Sequence, residues 1–349
     1  MKKFTKTLSV ALASVLVLFT ATACAGKDDT KKTDKETEKS TSEEKEKEKS
    51  TSEEKETEKP AEEGLKGKIN VYSRDASSGT RGAFQDIIGF GNEKKGQKVL
   101  LDNASIVDSN GALAAAVGKD AQAIGYVSLT TDFEANGLKA IAYEGVEPSE
   151  EAVLDGSYSL KRPFNMVTRA KGDFGDDKLE QLVAAFVDFL MNSQEGRLAV
   201  SEAGGIVDVE AGKPWEELKA NHSIVEEDNS GLTLNTAGST SVEKTIKAAL
   251  EAFQPLAGNF KFAMNQTGSG DGFKRVLGGE KDGANAAQIG FASRDFKDDE
   301  TVADGMASGA FCQDAVVVVV EKSNPLSGLT KQQVHDIFTG EVTNWEDIA

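Results

Sequence analysis

The sequence predicts an α/β fold in which mixed, mostly parallel sheets are flanked by helices. From residue 65 onward, short strand patterns alternate with amphipathic helix patterns, an order typical of sheets covered by helices. Glycine- and hydroxyl-rich turns separate several of these strands from the helix that follows. The unbroken valine run from Val316 to Val320 is typical of a strand that is buried on both faces.

Hydrophobic spacing places the elements in chain order. Predicted strands cover residues 68–72, 123–127, 232–235, 261–264 and 315–320. Predicted helices cover residues 84–88, 178–190, 242–253 and 330–338. The last helix has a capping-box pattern, Thr330 with Gln333, and Gly340 is placed to end it.

The first 65 residues are predicted to be an export signal followed by a tether, and not to belong to the folded part. A basic start precedes an apolar stretch that is short for a membrane-spanning helix, and the stretch ends at Cys24. This resembles a bacterial lipoprotein signal (residues 1–23), which implies a lipid such as palmitate on Cys24 and a place on the extracellular face of the membrane. The alternative is an ordinary secretory leader with an incidental cysteine. Residues 24–65 are nearly all Lys, Glu, Asp, Ser and Thr, which predicts a disordered tether.

Composition excludes several function classes. The 349 residues carry a formal net charge of -18, so binding to nucleic acid is not expected. Two histidines, His222 and His335, and two cysteines give no zinc spacing, and no nucleophile elbow is present. We therefore expect no catalytic residue, no metal and no cofactor. Cys312 lies in an apolar stretch and is expected to be a buried free thiol.

Four glycine- and hydroxyl-rich loops carry the chemistry, at residues 73–82, 237–241, 266–272 and 290–295. A helix start offers unpaired backbone N–H groups and a partial positive charge, and glycine lets an anion approach that backbone closely. Hydroxyl groups add donors, and arginine presents a planar fork that matches phosphate oxygens. Since none of the loops has the Walker A or dinucleotide pattern, the set predicts a site for a small oxyanion.

The four loops resemble those of the phosphate-binding subunit of high-affinity phosphate ABC importers, and the resemblance covers residues 66–349. The segment from Ser73 to Arg81 is close to the most specific motif of that family. In the family, however, the loop similar to 237–242 comes first, and the segment similar to 338–345 runs directly into this motif. The sequence therefore resembles a circular permutant.

The resemblance implies a periplasmic-binding-protein-like fold whose two lobes close on inorganic phosphate. One lobe is expected to combine residues 66–160 with 317–349, and the other to cover 161–316. A monomer that delivers phosphate to the permease subunits of an ABC importer is implied. The implied ligand-binding residues are Arg74, Ser78, Gly79, Thr80, Thr240, Ser241, Ser269 and Ser293. Further candidates are Asp75, Arg81, Ser239, Gly270, Asp271, Arg294 and Asp295.

The sequence departs from the family pattern at the position of the aspartate that accepts the phosphate proton. Arg294 stands there, which leaves Asp75, Asp271 and Asp295 as candidate acceptors. Three other functions stay open at this point: a receptor for another oxyanion such as sulfate, molybdate or a phosphonate, a secreted phosphatase, and a scaffold that binds nothing.

Overall fold

The computed structural model describes residues 65–302 and 306–348. The predicted leader, the lipidation site Cys24 and the tether up to residue 64 lie outside the described residues. Within the described part, no helix is both long enough and apolar enough to cross a membrane.

The described part alternates strands with helices, and every predicted strand and helix overlaps an observed one. The strands are β1 Asn70–Arg74, β2 Ser105–Val107, β3 Ala123–Ser128, β4 Leu138–Ala140, β5 Ala142–Tyr143, β6 Lys161–Thr168, β7 Thr233–Gly238, β8 Lys261–Gln266, β9 Ile289–Ala292, β10 Ser308–Glu321 and β11 Gly328–Leu329. The helices are α1 Gly79–Ile88, α2 Asn110–Val117, α3 Glu150–Leu154, α4 Asp177–Asn192, α5 Gln194–Glu202, α6 Trp215–Leu218, α7 Glu243–Phe253, α8 Ser269–Val276 and α9 Lys331–Thr339.

Nine of the described strands form one mixed sheet. Its order is β2-β1-β3-β10-β6-β9-β7-β8, with β4 also paired to β10, whereas β5 and β11 form a separate parallel pair. β1 runs parallel to β2 and β3, and β7 runs parallel to β8 and β9. The central strand β10 is antiparallel to β3, β4 and β6. The predicted mixed α/β fold is thus confirmed, with its parallel pairs at the two ends of the sheet.

The register of β10 explains why the loops meet. Its first half pairs with β6 and its second half pairs with β3, where Val316 lies opposite Ser128, the last residue of β3. Ala292, the last residue of β9, lies opposite Asn165 of β6, which itself pairs with Ala310. The carboxyl ends of β3 and β9 therefore point toward the middle of β10 from opposite directions.

Buried hydrophobic side chains of the described part gather into two large clusters, one on each half of the sheet. The first draws on residues 69–160 and 315–345, with Ile206 as an addition. The second draws on residues 164–312. Cys312 belongs to the second cluster as a buried free thiol, as predicted, and burial raises the pKa of its thiol well above the usual value. The side-chain packing therefore changes from one cluster to the other between Cys312 and Ala315 of β10.

Local sequence fixes the helix ends that matter for the site. Ser78 caps α1 by accepting a hydrogen bond from the Arg81 N–H, and Gly89 ends the helix with a left-handed φ of 97°. The predicted capping box of α9 is present, and Gly340 ends that helix with a φ of 82°.

Candidate functional site

The four loops leave the carboxyl ends of strands. Residues 75–78 join β1 to α1, residues 239–242 join β7 to α7, residues 267–268 join β8 to α8, and residues 293–295 follow β9. Three of the loops therefore end at a helix N-terminus, where the first backbone N–H groups have no partner within the helix. These N-termini come from both halves of the sheet, since α1 follows β1 whereas α7 and α8 follow β7 and β8.

Five hydroxyl groups from these loops form one buried group, called here the hydroxyl cluster: Thr80, Ser239, Ser241, Ser269 and Ser293. None of the five residues is more than 2% exposed. Thr80 Oγ1 lies 2.8 Å from Ser241 Oγ, and Ser239 Oγ lies 2.7 Å from Ser293 Oγ. Ser269 Oγ also accepts a hydrogen bond of 3.0 Å from the Ser293 N–H. The cluster thus joins α1 to the three loops of the other half of the sheet.

Gly79 allows the start of α1 to lie close to the loops of the other half of the sheet. A Cβ atom at this position would lie 2.0 Å from Ser269 Oγ and 2.8 Å from Ser293 Oγ, closer than real atoms come. The first residue of α1 therefore has to lack a side chain, since the hydroxyl cluster lies directly against its α-carbon. Gly82, one turn further along α1, has no such constraint, because its Cβ would meet only Arg294 Cδ at 3.7 Å.

Arg74 is buried at the end of β1 and is incompletely hydrogen-bonded. Its side chain donates to the Asp108 carbonyl oxygen at 2.8 Å and lies 3.7 Å from Asp75 Oδ2. Arg74 Nε is buried and has no hydrogen-bond partner among the described residues. Burial lowers the pKa of Arg74, and the charge of Asp75 opposes that shift. A buried guanidinium with an unused donor is suited to bind an anion.

Thr240 lies beside a residue that the sequence reading missed. The Asn110 N–H, at the start of α2, donates to Thr240 Oγ1 at 3.1 Å. The Asn110 side chain accepts from the Ser128 N–H and donates to Thr131 Oγ1, so it also holds the end of β3. The Ser109-Asn110 pair, which caps and begins α2, was the signal available in the sequence.

Two further candidates stabilise the loops. Arg81 Nη1 donates to the Arg74 carbonyl oxygen at 3.0 Å, and the Gly270 N–H donates to the Ser77 carbonyl oxygen at 3.3 Å. The second contact again joins the two halves of the sheet.

Arg294 and Asp295 do not join the hydroxyl cluster through their side chains. Arg294 donates to both carboxylate oxygens of Glu300, at 2.6 and 2.7 Å. Burial raises the pKa of Glu300, but hydrogen bonds from Arg294 and the Lys297 N–H outweigh it, and the net shift is downward. Asp295 is exposed, and its Oδ1 accepts from Asn165 Nδ2 at 3.2 Å.

The other two candidate acceptors differ in how they are paired. Asp271 Oδ2 accepts from Thr267 Oγ1 at 2.6 Å and lies 3.9 Å from Arg275 Nη2. Asp75 Oδ1 accepts from the N–H and the hydroxyl of Ser77. Asp75 Oδ2, in contrast, is buried and has no hydrogen-bond partner in the described part of the chain.

A buried ion pair lies where β10 passes from one cluster to the other, and the sequence reading missed it too. Arg162 donates to Asp314 Oδ2 through Nε at 3.0 Å and Nη2 at 2.7 Å. Asp314 Oδ1 accepts from Ser128 Oγ and from the Leu129 N–H. The pair therefore joins the end of β3, the beginning of β6 and the middle of β10, the point at which the two halves of the sheet meet.

The histidines lie outside the four loops. His222 stacks on Trp215 and lies 2.8 Å from Asp188 Oδ2. His335, Asp336 and Glu341 bring three potential metal-ligand atoms within 4.8 Å of one another, but Lys98 forms an ion pair with Glu341. Neither histidine contacts the hydroxyl cluster.

The sequence profile of a family described as PBP superfamily domain matches residues 42–195 and 224–349. The chain belongs to this family. The match covers most of the chain, including all four loops and both halves of the sheet.

Individual proteins also resemble the chain over most of their length. Phosphate-binding protein PstS 2 of Streptococcus agalactiae serotype V is 31% identical over 287 residues, which are 81% of this chain and 89% of that protein. Phosphate-binding protein PstS 2 of Streptococcus pneumoniae serotype 4 is 32% identical over 291 residues, 82% of this chain and 90% of that protein.

A crystal structure is similar as well. The phosphate-binding protein of a phosphate ABC transporter from S. pneumoniae TIGR4 matches with a TM-score of 0.57 and 30% identity, over 81% of this chain and 100% of that chain. The predicted relation to the phosphate-binding subunits of ABC importers is thereby confirmed.

Proposed function

We propose that the protein captures inorganic phosphate at the hydroxyl cluster and delivers it to the permease of an ABC importer. The observation that carries this proposal is the convergence of five buried hydroxyl groups with the N-termini of α1, α7 and α8. On binding, phosphate oxygens would replace hydroxyl–hydroxyl hydrogen bonds with bonds to serine, threonine and backbone donors. Such charge-assisted bonds are shorter and stronger than those between neutral groups.

Arg74 would supply the positive charge of the site. Its Nε is a buried donor without a hydrogen-bond partner in the described residues, which costs free energy. An anion that accepts a hydrogen bond from Nε would remove this cost. The family relation supports Ser78, Gly79 and Thr80 as neighbouring contacts at the start of α1. Thr240 would act at the edge of the site, where Asn110 already orients its hydroxyl.

We further propose that the two halves of the sheet are the two lobes of a hinged clamp, residues 66–160 with 317–349 and residues 161–316. The division of the hydrophobic side chains into two clusters supports this boundary. Contacts between the halves at the loops, such as Thr80 with Ser241, would form on closure. The Arg162–Asp314 pair would stabilise the hinge.

The permuted order is part of the proposal. A single alignment preserves segment order, and the alignment with the S. agalactiae relative covers 89% of that protein. That relative would therefore have its loops in the same order as this chain. In both proteins the lobe that holds the Arg74 loop would be built from two separated segments.

The cellular setting follows from the same proposal. The protein would act as a monomer, tethered to the outer face of the membrane by a lipid on Cys24, and it would not hydrolyse phosphate esters. Selectivity against sulfate requires an acceptor for the phosphate proton, because sulfate has no proton to donate at neutral pH. Asp75 is the best supported of the three candidates, since its Oδ2 is buried and accepts no hydrogen bond from the described residues.

Calorimetric titration of residues 25–349, stripped of carried-over ligand, tests the proposal. We expect tight, saturable binding of phosphate that survives excess sulfate. Equal affinity for the two anions would instead indicate a general oxyanion receptor, and the absence of heat from either would favour a scaffold. Hydrolysis of a chromogenic phosphate ester would contradict the proposed absence of catalysis.

One substitution locates the site. Ser293→Ala removes a hydroxyl that contacts both Ser239 and Ser269, and a hydrogen bond to a charged ligand is worth about 1.5–3 kcal/mol. Phosphate affinity should therefore fall by about 10- to 100-fold. Ser157→Ala, at an exposed position, is the matched control and should bind like the wild type. Unchanged affinity in Ser293→Ala would place the anion elsewhere.

A further inference from the structure

A cavity lies directly outside the hydroxyl cluster. This outer cavity has a volume of about 810 Å³, and its wall includes Ser78, Arg81, Gly270, Lys274, Arg294 and Lys297. Three of the four site loops contribute to both the outer cavity and the hydroxyl cluster. In each of these loops, a residue that lines the cavity is followed or preceded in the chain by a residue that belongs to the cluster or lies against it. The adjacent pairs are Ser78 with Gly79, Gly270 with Ser269, and Arg294 with Ser293.

The described wall of the outer cavity has a surplus of positive charge. It carries four cationic side chains against two acidic ones, Asp299 and Glu300. Glu300 is fully engaged by Arg294, so this pair contributes little net charge. Lys297 makes no ion pair through its side chain with the described residues, and Lys274 is 55% exposed with Asp271 only at 3.8 Å. Arg81 donates one side-chain hydrogen bond to the Arg74 carbonyl oxygen.

This surplus contrasts with the chain as a whole, whose formal net charge is -18. A phosphate dianion that approaches such a protein is repelled at long range. Salt screens charges over about 8 Å at physiological ionic strength, so the nearest charges dominate once the anion reaches the cavity. Cations that line a cleft raise the local concentration of anions and the rate of association.

We propose that the outer cavity is an electrostatic capture site, in which Lys274, Lys297 and Arg81 accelerate the entry of small divalent oxyanions, inorganic phosphate among them. The inference rests on the proposed function and concerns the association rate, whereas the hydroxyl cluster determines how slowly the anion leaves. The three cations attract the dianion into the outer cavity. From there it diffuses along the loops shared with the hydroxyl cluster to the helix N-termini.

Stopped-flow mixing of residues 25–349 with inorganic phosphate tests the inference. An environment-sensitive dye on a cysteine introduced at Ala76, an exposed residue of the cavity wall, reports arrival, and the same label is used in every variant. Lys274→Gln combined with Lys297→Gln should lower the association rate constant by about 10-fold at low salt. The dissociation rate constant should stay within about 2-fold, because neither lysine belongs to the hydroxyl cluster.

Lys213→Gln combined with Lys261→Gln is the matched control. Both lysines are exposed and neither lines the outer cavity, so this variant has the same net charge as the test variant. Its association rate should differ little from that of the wild type. Equal slowing in the two double variants would overturn the inference, since net charge alone would then set the rate.

The salt dependence of the wild-type rate gives a second, independent readout. If the outer cavity captures the anion, salt weakens the attraction and the association rate falls as salt rises. If the overall charge of -18 dominates, salt relieves repulsion and the rate rises, which would overturn the inference. Calorimetry on the same wild-type sample separates the two proposals: absence of phosphate binding refutes the proposed function itself, whereas binding with a rate that rises with salt refutes only the capture site.

Discussion

The hydroxyl cluster and the outer cavity are neighbours that differ in almost every physical respect. The cluster is neutral, almost fully buried and bonded within itself, whereas the cavity is open to solvent and carries charged side chains. A neutral, preorganised group of donors can surround a dianion closely, and mobile exposed lysines cannot. Under the two proposals, the cluster would determine the affinity for phosphate and the cavity would determine the rate of association.

The largest expected effect comes from filling the cluster. Gly79→Ala would place a methyl group 2.0 Å from Ser269 Oγ, so the loops could not approach and phosphate affinity should fall by more than about 100-fold. Gly82→Ala, in the same helix with open space around its Cβ, should bind nearly normally. Equal phosphate affinities of the two variants in calorimetry would contradict the assignment of affinity to the hydroxyl cluster.

A smaller effect is expected from Arg74, which would supply the positive charge of the proposed site. Arg74→Gln keeps a donor but loses the charge and the planar fork, and phosphate affinity should fall by about 10- to 100-fold. The association rate should change less than the affinity, because Arg74 is 1% exposed and does not line the outer cavity. A purely kinetic defect in this variant would contradict the assignment of affinity to the inner site.

The smallest effect is expected at Glu300, which neutralises Arg294 in the cavity wall. Glu300→Gln should lower the free energy of unfolding at neutral pH by about 1–2 kcal/mol. Because the pKa of Glu300 is lowered in the folded protein, its stabilisation is present above the unfolded pKa and is lost as the pH falls through the folded value.

Urea unfolding of wild type and Glu300→Gln between pH 7 and pH 3 should therefore show a stability difference that shrinks toward acid. A difference that stayed constant would mean that the carboxylate charge contributes nothing. The added positive charge in the wall should also leave phosphate association at least as fast as in the wild type.

Local patterns in the sequence were sufficient to predict five of the eleven described strands, four of the nine described α-helices and the four loops, but not, for example, strand β6 or helix α5. The capping box at Thr330 and the loop glycines depend only on neighbours in the chain, so they can be read directly. The length of β10 was underestimated, since only its valine run has a clear pattern and the earlier residues alternate less strictly.

The parts that were missed depend on partners far apart in sequence. Arg162 and Asp314 lie 152 positions apart, and no periodicity indicates that they pair. Asn110 reaches Thr240 across 130 positions for the same reason. Ser239, ranked below Ser241 from the sequence, lies in the hydroxyl cluster beside Ser293, because the turn after β7 directs it there.

A crystal structure of residues 25–349 with inorganic phosphate tests the central claim most directly. The account predicts a phosphate ion within hydrogen-bond distance of Thr80, Ser241 and Ser269, with Arg74 Nε donating to it and with the contact between Thr80 and Ser241 replaced by contacts to the ion. A phosphate ion found only among the lysines of the outer cavity, with the hydroxyl cluster unchanged, would contradict it.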